Sequence, residues 1–158
     1  MAIYVKFEGV DGDATQANHK KWLDVTSIQW GVGRGIHTPV GSAQNREASE
    51  PSVSEVTLTM AMDKSSTKMF EESCVGKTGK EVTIDFCTTG DPGELYLQYK
   101  LHKVLVSGYS VSSGGDRPSI SVSYNFSKIE MKYIPFDEQN NPTTPLLAGF
   151  DIGEGKKV

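Results

Sequence analysis

Most of this chain alternates apolar and polar residues with a period of two, and that pattern restricts it to strands with one buried face. Ile3, Val5 and Phe7 alternate with Tyr4, Lys6 and Glu8 until Gly9 and the Asp11-Gly12-Asp13 turn. Val56, Leu58, Met60 and Met62 oppose Glu55, Thr57 and Thr59, and Val82, Ile84 and Phe86 repeat the pattern within 80–89. A turn follows at 89–93. A long run from Glu94 to Ser112 places Leu95, Leu97, Tyr99, Leu101 and Leu105 on one side. The apolar phase slips by one residue in two places. One slip lies within the strand Trp22–Trp30, between Val25 and Ile28. The other separates Ile120, Val122, Tyr124 and Phe126 from Ile129, Met131 and Tyr133. Bulges near Thr26-Ser27 and near Ser127-Lys128 account for both.

Only one segment reads as a helix. Asp63-Lys64-Ser65-Ser66 offers N-caps, Met69, Phe70, Ser73 and Cys74 share a face, and Gly76 stops it after about ten residues. A short final strand is expected over 146–152. Strands without βαβ alternation, with one short helix, predict a mainly β protein, an antiparallel barrel or sandwich. From Val32 to Pro51 the chain is polar and aperiodic, and carries Arg34, Arg46, Glu47 and Glu50. A stretch that long is expected to be an extended functional loop, bounded at 32–52, with a mobile tail at 153–158.

The 158 residues suit one domain spanning 1–158, whose globule buries about 70% of the unfolded surface. No run approaches the ~20 apolar residues of a membrane span, so membrane insertion is not expected. A net charge of −4 without a basic stretch argues against nucleic acid as partner. The N-terminus lacks the pattern of a signal peptide. Cys74 and Cys87, in unlike contexts, read as two buried free thiols.

Catalytic, cofactor and metal signals are weak. Gly76-Lys77-Thr78 has Glu71 where a phosphate loop needs glycine, and it follows a helix. Gly31, Gly33 and Gly35 precede no helix pattern. Asp11-Gly12-Asp13 runs on to Thr15 and Gln16 where a calcium loop needs a ligand and then glycine. His19, His37 and His102 are scattered and read as solvated or hydrogen-bonded. No catalytic residue, cofactor site or metal site is assigned, and the chain is not expected to be an enzyme. What stands out is a strand face made of Ser119, Ser121, Ser123, Asn125 and Ser127. Thr57, Thr59, Thr83, Thr89, Ser27 and Gln29 extend its character. A hydroxyl-rich, uncharged face suits a water-filled channel that must not hold its contents tightly.

Five motifs stand in order along the chain: Tyr4–Asp13, Leu23-Asp24-Val25 with Ile28-Gln29-Trp30-Gly31, and Asp63–Ser66 with Met69-Phe70, then Asp116-Arg117-Pro118 followed by Val122–Phe126 and Ile129–Tyr133, and Gly149-Phe150-Asp151-Ile152. Together they resemble the Hcp family, the haemolysin-coregulated proteins of the type VI secretion tube. The chain departs from the family in a Gly-poor, charged 40–51 segment, and in Gln29 where members often have serine. The resemblance implies an antiparallel β-barrel that assembles as a hexameric ring. Rings would stack into a tube driven by a contractile sheath, tipped by a spike protein and able to carry small effectors. The subunit would be cytoplasmic during assembly and then secreted through the apparatus. On that reading Gln29 and Ser27 face the lumen, and Arg34, Arg46, Glu47 and Glu50 form a ring-stacking loop. The alternatives are a monomeric β-barrel module that binds a small ligand or glycan, and a phage tail tube protein.

Overall fold

The computed structural model describes residues 1–42, 44–90 and 93–158; Asp91 and Pro92 of the expected 89–93 turn lie outside the described residues, as does Ala43. The N-terminal part contributes β1 (Ala2–Phe7), β2 (Leu23–Val25) and β3 (Ser27–Gln29). Four two-residue strands follow: β4 (Val32–Gly33), β5 (Ile36–His37), β6 (Glu47–Ala48) and β7 (Ser52–Val53). Then come β8 (Val56–Ala61), α1 (Ser66–Val75), β9 (Lys80–Cys87) and the 18-residue β10 (Leu95–Ser112). The chain closes with β11 (Ser119–Asn125), β12 (Lys128–Tyr133), β13 (Leu146–Asp151) and β14 (Lys156–Lys157).

All pairings are antiparallel. The first half of β10 lies between β9 and β12, and its second half pairs with β11, so one strand serves two sheets. One sheet continues through β9 to β1 and β2 and through β12 to β13 and β14; the other runs β10–β11–β8–β3. The slip near Thr26 is where the chain changes sheets. β2 pairs with β1, β3 pairs with β8, and Thr26 itself donates both N–H and Oγ1–H to the Thr59 carbonyl, at 2.9 and 2.7 Å. The strand expected over 22–30 is therefore two strands, and no continuous ladder closes a barrel through this point. The second slip falls at Phe126-Ser127, between β11 and β12, as the alternation requires.

Between the sheets lies one core. Leu23, Leu58, Ile84, Leu101 and Ile120 are fully buried there with Phe7, Met60 and Tyr124. Each such aliphatic side chain contributes about 1.5–3 kcal/mol relative to exposure. Burial pushes the Tyr124 phenol well above its ordinary range, and its hydroxyl meets Met69 Sδ at 3.6 Å.

Several expectations need correction. Leu105 does not face the core: the apolar phase of β10 changes at Lys103, so Leu101, Val104 and Val106 point inward and Leu105 outward. The 32–52 segment is a projecting hairpin arm, with β4 paired to β7 and β5 to β6. It shows no period because nearly all of its side chains are exposed; at its base Val53 of β7 packs against the core. The 153–158 tail is hydrogen-bonded: β14 pairs with β13, and Val158 N–H donates to Gly149 at 3.1 Å. Both cysteines are free, but only Cys87 is buried; Cys74 is exposed, as is Phe70, so α1 seats itself through Met69 and Ser66. Ser65 is its N-cap and makes no side-chain cap bond; the turn before it is tied by Asp63 and Ser66 instead. Asp63 Oδ1 accepts from Ser65 N–H at 2.8 Å while Ser66 Oγ accepts from Asp63 N–H at 3.1 Å.

The segment between β1 and β2 folds back upon itself, with Gly12 N–H donating to Lys21 and Ala14 N–H to Trp22. A Cβ on Gly12 would stand 2.5 Å from the Trp22 carbonyl oxygen and 2.8 Å from Leu23 Cα, both rigid backbone. Gly12→Ala is therefore expected to cost about 1–3 kcal/mol in chemical denaturation. Gly31→Ala, whose Cβ would meet nothing within 4 Å, should stay near wild type.

Candidate functional site: a neutral sheet face and a projecting arm

The outer face of β10–β11–β8–β3 follows from register. Ser110, Ser121, Thr59 and Ser27 form one cross-strand row. Gly108, Ser123, Thr57 and Gln29 form the next, and Ser112, Ser119 and Ala61 a third. Partners in an antiparallel ladder share a face, and Ile120, Val122, Leu58 and Met60 occupy the opposite one in the core. These three rows contain no charged side chain. Apart from Gln29 their members are short, and Thr57 Oγ1 lies 3.4 Å from Ser123 Oγ across the ladder. Glu55 stands at the border, its Oε2 accepting from Ser107 Oγ at 2.7 Å. Such a surface is wetted at every position and presents no fixed charge to hold a passing molecule.

Outward positions on the other sheet differ sharply. Lys6, Thr83 and Lys100 form one row there, continuing to Glu130. His102 Nδ1 lies 2.7 Å from Glu81 and its Nε2 3.4 Å from Glu130, an ion-pair distance without hydrogen-bond alignment; Lys128 lies 3.3 Å from Glu130. Burial pushes the Glu130 carboxyl up, but His102 and Lys128 outweigh it and hold the group below its usual range. Thr83 thus belongs to this charged face, and Thr89 lies beyond the end of β9; neither joins the neutral one.

Of the residues singled out from the sequence, Ser27 and Gln29 sit together on β3, exposed, in register with Thr59 and Thr57. Arg34, Arg46, Glu47 and Glu50 all lie on the arm and are exposed. Arg46 Nε donates to Thr38 Oγ1 at 3.1 Å, and among the described residues no ion pair joins the four. The arm also exposes Val32, Ile36 and Val40. Ser110 and Ser112 were missed, although they alternate visibly beyond the phase change of β10.

A second polar cluster also escaped the sequence reading, because its members are far apart in the chain. His19 and Asp85 are each 5% exposed, with His19 Nε2 2.8 Å from Asp85 Oδ2. His19 Nδ1 lies 2.6 Å from Gln16 Oε1, which the Asn18 N–H fixes as the oxygen by donating to it at 2.9 Å. Both ring nitrogens therefore lie against side-chain oxygens. Gln98 Nε2 donates to the other Asp85 oxygen at 2.8 Å; Tyr4 stacks on the ring and Trp22 meets its edge, both with centroids 4.6 Å away. Cys87 Sγ is 4.0 Å from the same Nε2 that Asp85 occupies. Burial, and then Asp85, push its thiol up, so no activated nucleophile results. The cluster ties the 10–22 segment onto β1, β9 and β10. Asp85→Asn would put an amide N–H where a buried carboxylate oxygen accepts, breaking the network with His19 and Gln98, and is expected to cost about 1–3 kcal/mol by thermal or denaturant melting. Pairing it with His19→Gln should cost less than the sum of the two single changes.

The family model described as "Type VI secretion system effector, Hcp" matches residues 4–133. Protein hcp1 of Pseudomonas aeruginosa is 26% identical over 136 residues, covering 84% of this chain and 83% of the relative. A solved structure of a type six secretion system protein is 27% identical and superposes with a TM-score of 0.92 over 99% of both chains. Hcp1 from Salmonella typhimurium shares the fold at a TM-score of 0.80 and 22% identity, covering 99% of this chain and 98% of its own. A projecting arm, a mainly β body with one short helix and an uncharged sheet face are thus set within a match over most of the chain, which belongs to the Hcp family of type VI secretion tube subunits.

Proposed function

We propose that six copies close into a ring with the neutral face of β10–β11–β8–β3 turned to the lumen, each body acting as one barrel-like unit, and that rings stack through the arm. The observation that carries this is the absence of charge from three consecutive cross-strand rows, Ser27 and Gln29 included, on a molecule whose other sheet is densely charged outside. A conduit must wet its cargo and let it move. β3 supports the ring, because it is an edge strand paired only with β8 among the described residues, and cyclic closure covers such edges. Arg34, Arg46, Glu47 and Glu50, with Val32, Ile36 and Val40, give the arm charges of both signs and apolar surface. Exposed ion pairs are worth about 0–1 kcal/mol each, which suits a contact that forms on assembly and releases after firing. In this reading the tube is built in the cytoplasm, driven outward by a contractile sheath behind a spike protein, and carries small effectors.

Native mass determination tests the ring: a species near six times 17.2 kDa is expected, and 17.2 kDa alone would favour a monomeric binding module. Replacing residues 43–50 by a short Gly-Ser linker should leave the ring and its melting temperature unchanged and abolish secretion. Collapse of the ring, or normal secretion, would show that the arm has another role. Gln29→Arg should preserve the ring and change which effectors co-purify with it.

A further inference from the structure

We propose that the cleft between the 12–21 loop and Lys64 accepts the arm of a copy in the next ring, with that arm's Glu47 set among Lys20, Lys21 and Lys64. The inference rests on the reading in which rings stack through the arm, and it names the surface on which the arm lands. The cleft, of about 460 Å³, is lined by Asp13, Thr15, Lys20, Lys21 and Lys64 around the main chain of Gly12 and Ala14. All three lysines are exposed. Lys64 Nζ lies 3.9 Å from Asp13 Oδ1, and among the described residues no acid of this chain pairs with Lys20 or Lys21. The lining is therefore positive on balance. The loop that carries it is held in place. Lys21 N–H donates to Ala14 at 2.9 Å and Gly12 N–H to Lys21 at 2.8 Å, while the neighbouring His19 is buried against Asp85 and the rings of Tyr4 and Trp22. These contacts keep Lys21 at φ 65°, a left-handed conformation that strains any residue but glycine. A backbone strained at an exposed lysine, where glycine would fit, points to a task for the side chain.

The cleft and the arm lie at opposite ends of β8. The arm returns through β7 just before Val56, and Lys64 follows shortly after Ala61. The six residues of β8 set them ~20 Å apart. Head-to-tail stacking of identical rings brings one end of a copy against the other end of the next, and a contact between two different patches propagates without closing. Register decides which face of the arm meets the cleft. His37 and Glu47 are ladder partners on one face, and Ile36 and Ala48 are partners on the other. Arg46 alternates onto the face of Ala48, where its Nε donates to Thr38 Oγ1. Glu47 is thus the full charge on its own face of the β5–β6 ladder. A carboxylate so placed complements a cleft rimmed by three lysines, which would repel a cationic partner.

The test is charge reversal in the full chain, read as subunit secreted by cells that carry the apparatus, with native mass and melting temperature measured on the same variants. Lys20→Glu combined with Lys64→Glu should leave mass and melting unchanged and cut secretion by at least ~10-fold, because each ion pair is weak but repeats around the ring. Glu47→Lys should do the same, and the triple variant should regain most of the loss. Lys21→Gly, which relaxes the left-handed backbone, should hold the melting temperature and lower secretion. Normal secretion from the lysine variants, or no recovery in the triple variant, would overturn the proposal. The arm replacement separates this proposal from the reading beneath it. If replacing residues 43–50 blocks secretion and reversing the lysines does not, the acceptor alone is wrong. If the arm replacement secretes normally, both are wrong.

Discussion

β10 is the strand on which the rest of the architecture hangs, and its phase change at Lys103 makes that possible. Lys103 adopts φ 54°, a left-handed conformation that costs a non-glycine residue about 1–2 kcal/mol. That one residue moves the inward positions from Leu101 to Val104, and the β9 register shifts between them. Before it, β10 is hydrogen-bonded on both edges, to β9 and β12; after it, β10 pairs with β11 and turns its serines outward. Gly79 sits against the kink, where a Cβ would come 2.7 Å from Lys103 Cα. The cost of the kink is offset by burial of Leu101, Val104 and Val106 on both sides of it.

Two sheets that share a strand can differ completely in outward chemistry. In a strand, residues facing out are free of the core and answer only to solvent or to a partner. On the sheet of β1, β9 and β12 those positions hold lysines, glutamates and His102, joined in ion pairs. On the sheet of β11, β8 and β3 they hold serine, threonine and glutamine. Both patterns are compatible with the same fold, because burial of the opposite strand face constrains neither. In the proposed ring the uncharged face is the one turned to the lumen.

Much of the fold was legible from alternation alone, since burial of one strand face imposes it: β1, β8, β9, β11 and the single helix stand where the pattern puts them. Both phase slips marked true breaks, because a period of two can change parity only where a residue is added. Leu105 and the arm were misread for one physical reason. Periodicity reports burial, so it goes quiet where a strand bulges or where a ladder is almost wholly exposed, as over most of β4 to β7. The pairing of β14 with β13 is made by main-chain groups that leave no side-chain signature.

The sequence by itself determined the strand faces, the helix entry at Asp63–Ser66, and the uncharged run Ser119–Ser123, because each depends on residues within a few positions of one another. Only the tertiary structure decided that Ser27, Thr59, Ser121 and Ser110 form one row, that Trp30 packs on Tyr99, and that His19 meets Asp85. Those meetings depend on register between distant strands, which the identities of the residues alone leave open. Register is set by burying the opposite face against a shared core, and that requires the whole chain at once.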